Sequence, residues 1–422
     1  MLGKRTFACV LAVLLFGTLI ACQSAPAEQG NVYEYDPYEP YDSPDPYELY
    51  EELEEIIEEL PPVSILISAV GDIMMHMPQI NAAHDTVTDT HDFHNNFIYV
   101  KNYLINSDLT IGNLETTFGG RPYAGFPRFS APDAVAPALK TAGFDVIVTA
   151  NNHTVDRGKA GLLRTIDVLL ENALVVSGSR FDETQPRFAM FEVQGVNIAI
   201  IAYTYASSDA AGRLQVNGIP AEDSRQLLNY FRYTHLYEDL ENARLDVLDA
   251  RAAGADIVIM YYHWGNEYFI TSNDWQRRIA ARTVNYMYVD IIFGSHPHVL
   301  QEAVYLTSEL TGRQVPVFYS LGNFISNQRR ETLPTTRNNR HTETGAIAQV
   351  RVEFDPNNRE IISTSKSAIP TWVDLHRYGG RAVYTIIPLN EHLETNSILA
   401  RSGHLGRAQR AWEDAIGILG IN

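Results

Sequence analysis

Along most of this chain, short apolar runs end abruptly in polar clusters. Val63 to Val70 (Val-Ser-Ile-Leu-Ile-Ser-Ala-Val) has the composition of a strand, and Gly71-Asp72 closes it. Asp108 to Asn113 predicts a second strand ending in Leu114-Glu115, and Val146 to Ala150 a third, followed by Asn151-Asn152-His153. Ala131 to Ala142 predicts a helix. So does 159–172, where Leu162, Leu163, Ile166, Leu169 and Leu170 share one face. Phe188 to Val193 and Val196 to Tyr203 flank Gln194-Gly195 as a hairpin does. Residues 206–232 read as irregular, and Thr234 to Ala253 as an amphipathic helix. Ile257 to Tyr262 is another buried strand, ending in His263-Trp264-Gly265, and Asp274 to Tyr286 a helix. Ile291-Ile292-Phe293 then runs into Gly294-Ser295-His296-Pro297-His298. Strands are expected at 303–306, 315–320, 346–354 and 360–365. The polar stretch 326–343 reads as a long surface loop, and 406–418 as a closing helix.

This alternation of strand, polar cluster and helix predicts α/β layering, with function at the C-terminal ends of strands. Five such ends carry Asp72, Glu115, Asn152-His153, His263, and His296 with His298. Read singly, Asp72 and Glu115 fit turn or cap residues, Asn152 a turn support, and the histidines loop positions. As a set they supply oxygen and nitrogen donors for two divalent cations sharing a carboxylate. Without thiolate, the donors suit Mn, Fe, Zn or Mg. Trp264 is expected to be a packing wall.

Composition changes the picture mainly at the ends. Apolar (45%) and charged (20%) fractions are those of an ordinary folded protein. Residues 1–22 are read as a signal peptide. Lys4-Arg5 precede the apolar run Phe7 to Ile20, and Leu19-Ile20-Ala21-Cys22 resembles a bacterial lipobox with Cys22 as the lipid-bearing thiol. Lipidation there implies a protein held on the outer face of the cell membrane. Residues 23–62 hold 13 acidic residues and no Lys or Arg, interleaved with Pro and Tyr, which predicts a disordered, self-repelling spacer. The formal net charge is −19; with Lys4 and Arg5 in the leader and 13 acids in the spacer, residues 63–422 carry −8. No basic stripe is present, and no nucleic-acid partner is expected. The only cysteines are Cys9 and Cys22, so the domain offers no thiol for a disulfide, for zinc or as a nucleophile.

The motifs resemble, in order, those of the CapA branch (bacterial capsule and poly-γ-glutamate synthesis proteins) of the calcineurin-like metallophosphoesterases. The matching pieces are Gly71-Asp72-Ile73-Met74, Asn113-Leu114-Glu115, Phe129-Ser130-Ala131-Pro132, Ala150-Asn151-Asn152-His153 with Asp156 and Gly158, and His263-Trp264-Gly265. Gly294-Ser295-His296-Pro297-His298-Val299-Leu300-Gln301 and Tyr319-Ser320-Leu321-Gly322-Asn323-Phe324 complete them. They span about residues 63–330 of a domain expected over 63–422, leaving 331–422 as a C-terminal extension.

The resemblance implies a four-layer α/β/β/α sandwich, metallo-dependent phosphatase-like, with a dinuclear site. By matching motif, Asp72 and His298 hold one metal, and Asn152, His263 and His296 the other. Glu115 stands in the bridging place, and His153 is the general acid. Spacing nominates Asp156 to orient His153. Asn323 is expected to stand behind a ligand and orient it, and Arg121, Arg128 and Arg157 to meet an anionic substrate. Two departures stand out. The family's histidine two after the first aspartate is Met74 here, which leaves His76 as a substitute ligand, and the bridging group is glutamate. The implied function is a lipid-anchored hydrolase of a phosphoester or γ-glutamyl bond in cell-surface polymer assembly. Its expected partners are an anionic polymer or phosphorylated substrate and membrane capsule synthase proteins. The alternative is a non-catalytic, metal-stabilised scaffold or polymer-binding subunit of such a complex.

Overall fold

The computed structural model describes residues 59–421. The signal peptide, Cys22 and nearly all of the acidic spacer therefore lie outside the described residues. The last spacer residues are already tied to the domain: Leu60 N–H donates to Asn357 Oδ1 (3.0 Å), and Asn357 Nδ2 donates to Leu60 O (2.8 Å). Contacts to the domain thus reach at least as far as Leu60, ahead of the expected start at Val63.

The main strands, in chain order, are β1 (Val63–Ile73), β2 (Leu109–Leu114), β3 (Val146–Val148), β4 (Val175–Ser177), β5 (Val196–Ser208), β6 (Ile257–His263), β7 (Ile291–Ser295) and β8 (Gln314–Phe318). They continue with β9 (Asn323–Ile325), β10 (Thr344–Asp355), β11 (Glu360–Tyr378) and β12 (Arg381–Pro388). The main helices are α1 (Val135–Ala142), α2 (Gly158–Glu171), α3 (Leu236–Ala252), α4 (Asp274–Tyr286), α5 (Ser397–Ser402) and α6 (Leu405–Leu419).

One sheet runs β12-β11-β10-β1-β2-β3-β4, with β9 also pairing β1. Its half from β1 to β4 is parallel and its half from β10 to β12 antiparallel. The other sheet is built on the parallel row β5-β6-β7-β8, with short strands at both margins. The inward faces meet in one apolar cluster that joins Ile65, Ile67 and Ile111 to Ile198, Ile200, Ile259 and Phe293. A second cluster lies under α1 on the outside of the first sheet, and a third under α3 and α4 on the outside of the second. These clusters define the α/β/β/α layering that the motifs implied.

Local sequence explains much of this. Gln194 and Gly195 both have positive φ (51° and 78°), the conformation of a tight hairpin turn. Helix α4 starts on a capping box between Asn273 and Gln276. Helix α1 ends at Gly143 with φ 109°.

Other expectations failed where pairing, not pattern, decides. Residues 206–232 are not simply irregular. Strand β5 runs on to Ser208, and the segments 214–216 and 230–232 pair alongside it. The strand expected at 360–365 extends to Tyr378 because β10 and β12 pair along its length. The loop 326–343 is not purely a surface loop, since Arg329, His341 and Glu343 are buried. Glu343 accepts from Arg407 (2.7 and 2.8 Å) and Trp372 Nε1 (3.1 Å), which fastens the loop to β11 and α6.

Strand β1 continues past its expected end because β9 pairs with it beyond Gly71. A Cβ on Gly71 would lie 2.0 Å from Gly322 O, so no side chain fits without moving that backbone. Gly71→Ala is expected to destabilise the fold by about 1–3 kcal/mol, the usual scale of overpacking. Urea unfolding checks this: an unchanged midpoint would show that the β1–β9 junction tolerates a side chain.

A candidate metal centre at the strand ends

The parallel strands of both sheets deliver their C-terminal residues to one place. In the first sheet, Asp72 pairs in register with Asn113 on one side and Asn323 on the other. In the second, His263 pairs with Ser295, and His296 and His298 follow at once. Both of these histidines have positive φ (97° and 58°). Such backbone is uncommon outside glycine and costs on the order of 1–3 kcal/mol per residue. The two imidazoles lie 5.9 Å apart.

Asn113 joins the two sheets. Its Nδ2 donates to Asp72 Oδ1 (2.8 Å) and Ser295 Oγ (3.1 Å), and its Oδ1 accepts from Asn151 Nδ2 (3.1 Å). His298 Nδ1 lies 3.0 Å from Asp72 Oδ2 and 3.1 Å from Asn323 Oδ1. Both are acceptors, so this nitrogen carries the proton and Nε2 presents a lone pair. Asn323 is itself oriented, donating through Nδ2 to Gln328 Oε1 (3.0 Å) and Thr342 O (2.9 Å). His263 Nδ1 meets Ser295 Oγ (3.0 Å), while its Nε2 is 2.9 Å from Asn152 Oδ1.

Glu115 sits at the middle of this cluster, fully buried. Its Oε1 is 3.6 Å from His263 Nε2 and 3.8 Å from His298 Nε2. These distances are too long for hydrogen bonds. Neither carboxylate oxygen has a hydrogen-bond partner, and neither does His296 Nδ1. An unsatisfied buried acceptor costs about 1–3 kcal/mol, and more when charged. Glu115, His263 and His296 form one group whose ligand atoms lie within 4.8 Å of one another, and Asp72, Glu115 and His298 form another. The two groups share Glu115.

Electrostatics points the same way. Burial raises Glu115 well above the usual carboxylate range, and neighbouring Asp72 adds to it. Burial holds His263 well below its ordinary value, helped by His296. Burial likewise takes His296 down to about 3, helped by His298. Burial opposes a charge on His298, but the bond and charge of Asp72 prevail and raise it. Two neutral imidazoles, each with one nitrogen held or hidden, surround a carboxylate that lacks any donor. That is the donor set of a divalent cation centre, with ligands oriented from behind by hydrogen bonds. The residues present fit the group.

His153 follows Asn152 and is buried. Its Nδ1 is 2.8 Å from Asp156 Oδ2, which also accepts from Phe129 N–H (2.6 Å). Phe129 packs edge-on against the imidazole at 4.7 Å. The spacing-based pairing of Asp156 with His153 is present.

Some expected residues are not brought in. His76 belongs to none of the metal-capable groups among the described residues. Its Nδ1 is 3.2 Å from Gln79 Oε1, and its backbone opens the helix at 77–83. Burial depresses His76 to about 4. Arg121 pairs with exposed Asp89 (3.1 Å), and Arg157 Nη2 donates to Arg128 O (3.1 Å), bracing a loop. The Arg128 side chain is exposed. Trp264 is buried and donates to Tyr319 O (2.8 Å), a packing role as expected.

Other participants were missed. Glu267 forms a further group with His296 and His298. The rings of Tyr205 and Tyr268 lie 4.8 Å from His296 and 5.9 Å from His298. Glu267 and Tyr268 follow His263-Trp264-Gly265 closely enough to have been singled out. Tyr205 lies just past the point where the apolar run ends.

A family model described as bacterial capsule synthesis protein PGA_cap matches residues 66–328. The chain is 32% identical over 275 residues to the capsule biosynthesis protein CapA of Bacillus anthracis, covering 63% of this chain and 60% of that protein. It is 28% identical over 273 residues to the PGA biosynthesis protein CapA of Bacillus subtilis, covering 62% and 63%. The chain thus spans about three fifths of each of these relatives. Among solved structures, a phosphatase from Mycoplasma pneumoniae aligns with TM-score 0.42 and 18% identity, over 73% of this chain and 94% of its own. The calcineurin-like phosphoesterase YfkN of Bacillus subtilis aligns with TM-score 0.39 and 12% identity, over 83% and 99%.

Proposed function

The chain belongs to the bacterial capsule synthesis protein family, and we propose that it is a metal-dependent hydrolase acting on a phosphoester or γ-glutamyl bond during assembly of an anionic cell-surface polymer. The observation that carries this reading is Glu115, a fully buried carboxylate with no hydrogen-bond donor, set between the Nε2 atoms of two histidines. A carboxylate so buried is costly on its own, and a cation between it and the two imidazoles would offset that cost.

Asp72, Glu115 and His298 would hold one ion, and Glu115, Asn152, His263 and His296 a second. Such a pair, when bound, supplies a water of lowered pKa and stabilises charge building on the attacked group. The chain's own residues do the rest. Asp72 and Asn323 fix the His298 tautomer, Ser295 supports His263, and Asn113 keeps the two sheets in register. Asp156 holds His153 Nδ1, which leaves Nε2 to protonate a departing oxygen or nitrogen.

We also propose that Cys22 carries lipid and holds the domain at the outer face of the membrane, where synthase proteins would supply its substrate. No helix among the described residues is long and apolar enough to cross a membrane.

One observation favours the second reading, a polymer-binding scaffold. Met74, in the position of an expected histidine ligand, is 1% exposed and apolar. The two readings are separated with the purified full-length chain. Bound Mn, Fe, Zn and Mg would be measured, followed by hydrolysis of phosphodiester, phosphomonoester and γ-glutamyl panels. Metal with turnover is expected. Metal without turnover on any panel would leave the scaffold, and no metal after supplementation would remove both.

A further inference from the structure

We propose that the C-terminal segment carries a second site, sharing no residue with the strand-end cluster, that binds an oxyanion, either a carboxylate or a phosphate group. A cavity of about 470 Å³ opens between β11, β12 and α5, lined in part by His376, Arg377, Tyr378, Arg401, Ser402 and His404.

Behind its wall stands Asp374, fully buried. Its Oδ2 is 2.8 Å from His376 Nδ1, and its Oδ1 is 2.6 Å from His404 Nδ1. A carboxylate only accepts, so both Nδ1 atoms carry protons and both rings are locked in orientation. Each ring's Nε2 is left over, and neither has a protein partner among the described residues. His376 and His404 retain 9% and 25% side-chain exposure, enough for a ligand to reach their edges.

The two arginines are equally unspent. Arg377 uses one Nη on Gly380 O (2.9 Å), and Arg401 uses Nε on Ser397 O (3.2 Å). Among the described residues neither guanidinium has a carboxylate partner, although most arginines of this chain do. Arg401 also lies 5.9 Å from the ring of Tyr378, a side chain that is 69% exposed at the rim.

The pocket therefore gathers two guanidinium groups and two preset imidazoles, and its only carboxylate is already saturated. The free guanidinium N–H groups suit an oxyanion, which accepts several charge-assisted hydrogen bonds at once, and each Nε2 lone pair is placed to accept from a protonated oxygen beside it. A clamp tying the α5–α6 link to β11 needs one histidine. The second histidine and the two free guanidinium groups go beyond that.

The test is calorimetric titration of the full-length chain, stripped of metal with EDTA that is then dialysed away so that the strand-end cluster holds no metal, with inorganic phosphate and with a γ-linked glutamate oligomer. One saturable site is expected, weakened by added salt. Arg401→Gln should weaken binding about tenfold, and the double variant with Arg377→Gln should abolish it. Both arginines are exposed, so the variants should keep the wild-type melting temperature. Nitrogen-15 NMR should show the His376 and His404 imidazole signals moving on titration. Tighter binding of the oligomer assigns the site to polymer carboxylates, and tighter binding of phosphate to a phosphoryl group. The proposal is overturned by absence of saturable binding, by binding unchanged in the double variant, or by silent imidazole signals. Because metal is withheld, none of these results depends on the hydrolase reading.

Discussion

Replacing His153 with alanine is expected to lower turnover by about 10²–10⁴-fold, the range for losing a general acid, while bound metal stays at the wild-type level. The expectation rests on geometry. His153 is buried beside Asn152, its Nδ1 is held by Asp156 at 2.8 Å, and Phe129 packs on its ring. A histidine so held has one committed nitrogen and one free to move a proton. Asp156→Asn is the companion variant. It keeps the shape but cannot hold the imidazolium that forms and vanishes in each cycle, so a smaller loss in kcat is expected with KM little changed. Both variants would be assayed on an activated phosphodiester with metal measured in parallel. Unchanged turnover in His153→Ala would remove the acid assignment. Loss of metal in the same variant would make His153 a ligand instead.

Glu115→Gln is expected to reverse sign with metal. In EDTA the wild type must bury a carboxylate without a donor, next to Asp72, and burial already raises it well above the normal range. Glutamine removes that burden, so the metal-free variant should be more stable than metal-free wild type by about 1–3 kcal/mol. With metal present the order should invert. A cation that binds only the folded wild type adds about 2.7 kcal/mol at a hundredfold excess over its Kd. The variant, having lost the group shared by both sets of ligands, should gain little. Urea unfolding of both proteins, in EDTA and with Mn, gives the four values needed. If the metal-free variant is instead the less stable, Glu115 is a structural residue and the metal reading loses its main support.

Much of the candidate site was legible in the sequence, for a local reason. Each strand end is a short apolar run, a turn residue and a polar side chain. Strand, turn and donor type are all properties of a few neighbouring residues. Asp72, Glu115, Asn152, His263, His296 and His298 emerged that way, and the structure gathers them. The pairing of His153 with Asp156 followed from a spacing of three.

The misses have a different character. Asn113 looked like the last residue of a strand, yet it bonds Asp72, Ser295 and Asn151 across two sheets. Strand β11 was expected to be six residues long and is 19, because its partners, not its own pattern, keep it extended. His76 stood near enough in sequence to replace a missing ligand, but Gln79 engages its Nδ1 and it joins none of the metal-capable groups among the described residues.

The sequence by itself determined which donors follow the apolar runs, and that no thiolate chemistry is available to the domain, since these depend on residue type and immediate neighbours. The tertiary structure alone decided that Glu115 lies between two histidines without a donor. It also decided that Arg121 pairs with Asp89 while Arg157 braces the backbone of residues 128–129, and that Asp374 locks two imidazoles nearly thirty residues apart. Those facts require distant segments to be packed together, and burial with the loss of water is what makes an unpartnered carboxylate costly.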